Sequence, residues 1–177
     1  MKKSNTVFKN VMSLTVAAML VSISVVIGFF CKTYLNFVGG LFRVTFENLP
    51  IIMSGVLFGP IVGGFVGAAS DLVSYLLSPQ TYPPNLVVTF GAAMVGVMSG
   101  IMAKYVVKKR GMMQVIISGA AAHIVGSMVI KTIGLYQFYG ILVLWRIPLY
   151  TIIATLEIIV ICLVFSRQSF RRLIDKL

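Results

Sequence analysis

The hydrophobic positions fall into long blocks with few polar interruptions, and most blocks are long enough to cross a bilayer. An apolar helix needs about 20 residues for one crossing. The first block covers about residues 8–30 and reads as a full span rather than a cleaved leader. A second runs from Pro50 to Leu77 and is studded with glycine. It is too long for one crossing, and Gly59-Pro60 with Gly63, Gly64 and Gly67 allows the chain to turn back inside it. We read two crossings there, about 50–65 and 68–77, with the turn near Gly63–Gly67. Prolines in Ser78-Pro79-Gln80 and Tyr82-Pro83-Pro84 block helix continuation. Further spans follow at about 85–106, 112–133 and 141–165, with an outer connection at 134–140.

This pattern predicts one all-α membrane domain over residues 1–177, with six transmembrane helices and a structured external loop between the first two. That loop, residues 31–48, interleaves Tyr34, Phe37, Phe42 and Phe46 with Lys32, Arg43 and Glu47, more aromatic than a plain connector requires.

Composition agrees. Of the 177 residues, 59% are hydrophobic and only 11% charged, where a soluble domain carries about 25% charge. The net charge of +11 would suggest nucleic acid in a soluble protein. Here the charge sits at span ends: Lys2, Lys3 and Lys9, then Lys104, Lys108, Lys109 and Arg110, then Arg167, Arg171, Arg172 and Lys176. An excess of lysine and arginine marks cytoplasmic flanks, so both termini are expected inside and no nucleic-acid partner is expected. Two crossings between Pro50 and Leu77 are what put the first two basic clusters on the same side. Four of the fifteen basic residues remain for the external side or its mouth: Lys32, Arg43, Lys131 and Arg146.

Cys31 and Cys162 make neither a disulfide framework nor a metal site, and no phosphate loop, dinucleotide motif or HExxH is present. No enzymatic activity, cofactor or metal is expected. Polar residues do gather toward the outer side: Arg43, Glu47, Asn48, Asn85, Lys131 and Arg146, with Tyr82, Tyr136, Tyr139 and Trp145 around them and His123, Asp71 and Glu157 deeper. Intramembrane ionisable groups mark sites, pathways or ion partners. A cavity open to the outside, basic at its rim and lined with aromatics, suits a planar ligand with an anionic tail. The plainer alternative is internal pairing: Arg43 with Glu47, and Lys131 or Arg146 with Asp71 or Glu157.

Three stretches carry a family resemblance: FRVTFENLPIIMSGVLFGPIVGGFVGAASDLVSYL, YPPNLVVTFGAAMVGVMSG and HIVGSMVIKTIGLYQFYGILVLWRIPLY. Together they resemble the membrane-embedded substrate-binding S component of energy-coupling factor (ECF) vitamin importers of the bacterial cell membrane, nearest to the folate-specific branch. The resemblance implies folate or a related vitamin bound from outside, a transmembrane coupling subunit, two cytoplasmic ATPases, and toppling in the membrane to release substrate. It also implies that small residues of the first helix, here Ala17, Ala18 and Ser22, form the docking face, with serine where the family has alanine. On that reading, Asp71 takes the pterin's N–H donors, with Glu157 second and His123 or Asn85 assisting, while Arg43, Lys131 and Arg146 hold the glutamyl carboxylates. Alternatives are an S component for another vitamin or precursor such as hydroxymethylpyrimidine, and a stand-alone proton-coupled secondary transporter, for which no internal repeat speaks.

Overall fold

The computed structural model describes residues 11–37, 42–77, 85–107 and 111–167. It is helical apart from one two-residue hairpin. The elements are α1 (Val11–Tyr34), β1 (Asn36–Phe37), β2 (Phe42–Arg43), α2 (Asn48–Phe58), α3 (Pro60–Leu77), α4 (Leu86–Ile101), α5 (Met112–Ala122), α6 (Lys131–Tyr139) and α7 (Arg146–Ser166). A π-helical stretch, Met102–Val106, extends α4, and another, His123–Ile130, joins α5 to α6; a 3-10 turn, Gly140–Trp145, leads into α7. β1 pairs antiparallel with β2, Asn36 opposite Arg43 and Phe37 opposite Phe42, within the segment after α1.

Four helical stretches are long and apolar enough to cross a membrane: Val11–Tyr34, Pro60–Leu77, Leu86–Val106 and Met112–Ser166. With exposed Leu, Ile, Val and Phe side chains along their outer faces, they are the elements of an integral membrane protein, whose outer surface is solvated by lipid. The last stretch folds back on itself, since α5 packs on α7. Its break is at Gly140, where φ is +57°, a backbone region that glycine enters without steric cost.

The reversal within Pro50–Leu77 lies earlier than the sequence suggested. The chain breaks at Gly59, where φ is +92°, and α3 then runs unbroken from Pro60 through Gly63, Gly64 and Gly67. Pro60 opens α3 because a first-turn residue needs no N–H partner. Those three glycines serve close approach instead of a turn. A methyl on Gly63 would lie 2.7 Å from Cα of Gly55, and one on Gly67 would strike the Ala92 backbone. Without a hydrophobic force between helices in lipid, such contacts supply the packing. α2, α3 and α4 therefore form the tightest part of the bundle.

Gly96→Ala tests this. Its methyl would collide with the Gly63 carbonyl, and a fixed backbone cannot yield as a side chain can. The expected cost is about 1–3 kcal/mol, read as a lower thermal unfolding midpoint in detergent. Gly111→Ala, with open space around it, should leave that midpoint unchanged.

The apolar core has two parts. A large one includes Ile51, Ile52, Val62, Val66, Val95, Val115 and Ile161; a small one consists of Val88, Leu135 and Val143. Along α5–α6 the order is Val115, then His123, Ser127 and Lys131, then Leu135; along the last helix it is Val143, then Arg146 and Glu157, then Ile161. Buried polar residues along α5–α6 thus occupy a layer between two apolar ones, while on α7 buried Tyr150, Ile153 and Ala154 lie between Arg146 and Glu157.

Candidate functional site

Three groups make up the polar layer. The first is built around Glu47, one residue before α2. Its carboxylate oxygens lie 3.4 Å from Lys32 Nζ and 3.5 Å from Lys131 Nζ, with all three side chains buried. Lys32 also donates to Ser74 Oγ at 2.6 Å, and Ser24 Oγ donates to the Glu47 carbonyl at 2.7 Å. Lys131 donates to Asn48 Oδ1 at 3.1 Å, and Asn48 Nδ2 donates to Ser127 Oγ at 3.4 Å. Gly28 leaves room for this arrangement: a methyl there would come within 2.9 Å of Glu47 Oε2. Two cations share one anion, a pairing that buried charges require.

His123 and Glu157, 1% and 0% exposed, form the second group. His123 Nε2 lies 2.8 Å from Glu157 Oε2, while His123 Nδ1 and Glu157 Oε1 have no hydrogen-bond partner among the described residues. Lys131 and Glu47 are near enough to act on the Glu157 charge, which joins the first group to the second. His123 opens the π-helical stretch, a winding frequent at functional sites.

The third group is Arg146, the first residue of α7, only 2% exposed. Nη2 donates to Tyr150 Oη at 2.6 Å, while Nε and Nη1 are buried without a hydrogen-bond partner among the described residues. Arg146, Tyr150, Ile153 and Glu157 are all buried on one face of α7. At the helical rise, Arg146 and Glu157 are about 16 Å apart along the axis.

Glu47, Asn48 and Lys131 are joined by ion pairs and hydrogen bonds, His123 meets Glu157, and Arg146 lies apart from them, about three turns from Glu157 along α7. All six are buried, where sequence reasoning placed the basic residues at the rim of an open cavity. Other candidates do not join them. Asp71 is half-buried and accepts from Thr89 Oγ1 at 2.7 Å, a link between α3 and α4. Asn85 is occupied structurally: Oδ1 accepts from Val87 N at 2.9 Å, capping α4, and Nδ2 donates to the Gly134 carbonyl at 2.6 Å. Tyr136 and Trp145 are 56% and 68% exposed, and Tyr139 packs on the small apolar cluster. Arg43 lies in β2 with its side chain outside the described residues, as is Tyr82. The alternative Arg43–Glu47 pair falls on a side chain outside the described residues; among the described residues Glu47 pairs with Lys32 and Lys131. Lys32, Ser24, Ser74, Ser127 and Tyr150 were missed. Lys32 had a signal, being one of the four basic residues not explained by cytoplasmic flanks.

On α1 the three small residues separate. Ala17 is buried in the large core cluster, while Ala18 and Ser22 are exposed, with Ser22 Oγ donating to the Ala18 carbonyl at 3.0 Å. A cleft of about 390 Å³ lies elsewhere, lined by Val56–Gly59, Ala103, Lys104 and Gln114, and shares no residue with the polar layer.

Among known proteins, "Folate transporter FolT" of Clostridium novyi (strain NT) is 37% identical over 60 residues, 32% of this chain and 35% of that one. The "Uncharacterized protein MG098 homolog" of Mycoplasma pneumoniae (strain ATCC 29342 / M129 / Subtype 1) is 36% identical over 66 residues, 37% of this chain and 13% of the relative. The matched stretches thus span about a third or less of these relatives. The fold resembles that in "Crystal structure of FolT bound with folic acid", with a TM-score of 0.65 and 21% identity over 86% of this chain and 93% of that one. The sequence profile described as "ECF transporter, substrate-specific component" matches residues 12–173. The chain therefore belongs to the substrate-specific component family of ECF transporters, as a membrane-embedded transport subunit.

Proposed function

We propose that this chain is a folate-binding S component that encloses its substrate along the buried face of α7. The observation that carries the reading is the Arg146 guanidinium, buried with two nitrogens unpartnered among the described residues, on the same face of α7 as Glu157, which meets His123 of the neighbouring π-helical stretch. A buried cation of this kind calls for an anion. The axial rise of about 16 Å between Arg146 and Glu157 suits a pterin, a benzoyl ring and a glutamyl group laid end to end. The glutamyl carboxylates meet Arg146, and the pterin's amino and amide N–H groups meet Glu157 and His123. Glu157 takes the role that sequence reasoning gave to Asp71, because Asp71 is already bonded to Thr89. The names of the Clostridium relative and of the solved FolT structure support folate as the ligand class.

The chain then crosses the membrane six times with both termini inside. The reversals at Gly59 and Gly140 support this count, as do the basic clusters at the inner ends. Import requires a coupling subunit and two ATPases, since the chain carries no phosphate loop of its own. Ala18 and Ser22 offer the coupling subunit a small, exposed face whose one hydroxyl is occupied by its own helix. Ala18→Leu should abolish uptake in cells while leaving folate binding to the isolated chain within about twofold, because bulk prevents close helix approach. Loss of binding instead would place this face against its own bundle.

Substrate choice is tested by retention. The purified chain is mixed with equimolar folate, riboflavin, pantothenate and hydroxymethylpyrimidine, desalted, and its bound ligand identified by mass. Folate alone is expected to be retained. Retention of another compound would move the substrate assignment within the family. ATP-independent uptake by liposomes containing only this chain would favour a stand-alone transporter.

A further inference from the structure

Resting on the folate reading of the α7 face, we propose that Tyr150 is a positioning residue, which holds the Arg146 guanidinium in the orientation that receives a ligand carboxylate. The two side chains are four residues apart, one turn along α7, and both are buried. Arg146 Nη2 donates to Tyr150 Oη at 2.6 Å, and the guanidinium carbon lies 5.1 Å from the ring centroid. A phenol oxygen fixes direction without cancelling charge: it accepts one hydrogen bond and carries no negative charge. Tyr150 therefore leaves the guanidinium charge uncompensated, and its Nε and Nη1 donors keep no partner among the described residues.

No carboxylate of the described residues lies within ion-pair distance of Arg146; Glu47 pairs with the two lysines and Glu157 with His123. A purely structural arginine would be expected beside one of these acids, because the penalty for enclosing an unpaired cation is large. Tyr150 instead removes the rotational freedom of a long side chain before the ligand arrives, so less is lost when the carboxylate binds. This makes Tyr150 a determinant of selectivity between ligands with and without the anionic tail, although it need not touch either.

The test uses the full chain in detergent and two ligands, folate and pteroic acid, which lacks the glutamyl tail. Tyr150→Phe keeps the ring and deletes the acceptor. It should weaken folate about tenfold, the worth of one hydrogen bond to a charged group, and lower the folate-to-pteroic acid affinity ratio by nearly the same factor. That ratio is insensitive to the fraction of protein folded, since unfolded chains are lost equally to both ligands. Tyr150→His, which retains a ring and an acceptor nitrogen, is the second variant and should restore part of the ratio. In an Arg146→Gln background, Tyr150→Phe should change the ratio no further. An unchanged ratio in Tyr150→Phe, or the same drop persisting in the Arg146→Gln background, would overturn the inference. If Arg146→Gln itself leaves the ratio untouched, the placement of the tail fails and takes the inference with it. If Arg146→Gln lowers the ratio and Tyr150→Phe does not, the folate reading stands and only Tyr150's role is refuted.

Discussion

Arg146→Gln is expected to weaken folate binding by about 2–5 kcal/mol, the range for removing one partner of a buried charge pair, and to weaken pteroic acid far less. Arg146 is enclosed, held by Tyr150, and has two nitrogens without partners. On the proposed folate reading those nitrogens take a carboxylate in charge-assisted bonds; glutamine offers one amide and no charge. Glu157→Gln should show the opposite selectivity pattern. The amide replaces an acceptor oxygen with a donor facing the pterin's own donors, so both ligands should lose affinity by similar factors. The check is isothermal calorimetry of both ligands on each variant. Equal losses for the two ligands in Arg146→Gln would mean that the arginine supports the bundle instead of the tail.

Glu47→Gln is expected to have the largest effect on stability. Its carboxylate sits between Lys32 and Lys131, all three side chains nearly inaccessible to solvent. Without it, two buried cations face each other across a neutral amide, with Ser74 and Asn48 among their remaining partners. Breaking a buried pair from one side costs about 3–5 kcal/mol. The ligand-free thermal midpoint should drop sharply, and Lys32→Met added to Glu47→Gln should recover part of the loss by removing one of the cations. A midpoint that hardly moves would mean that water reaches the lysines. A double variant less stable than Glu47→Gln would mean that Lys32 contributes chiefly through packing or Ser74.

The membrane class and the composition of the polar layer could be read from the sequence because both rest on rarity. Charged residues are so scarce in an apolar chain that Glu47, Lys131, Arg146 and Glu157 could scarcely all be incidental. Their pairing was not legible, since it depends on helix rotation and depth. Asp71 is as isolated in sequence as Glu157, yet it faces Thr89 on α4, whereas Glu157 faces His123. Lys32 was assigned to a loop end, but α1 continues to Tyr34 and carries Lys32 inward to Glu47. Asn85, grouped from the sequence with the outer polar residues, caps α4 and donates to the Gly134 carbonyl, roles that composition alone does not separate from ligand contact. The turn was misplaced for a similar reason: glycine marks both chain reversal and close helix contact, and only the backbone separates Gly59 from Gly63 and Gly67.

The central claim is that this chain alone, without ATPases or a coupling subunit, holds folate by both ends. Calorimetric titration of the purified chain with folate tests it most directly. Saturation at one folate per chain, with pteroic acid binding more weakly, is the result the account predicts. No binding of folate, or folate and pteroic acid binding equally, would contradict it.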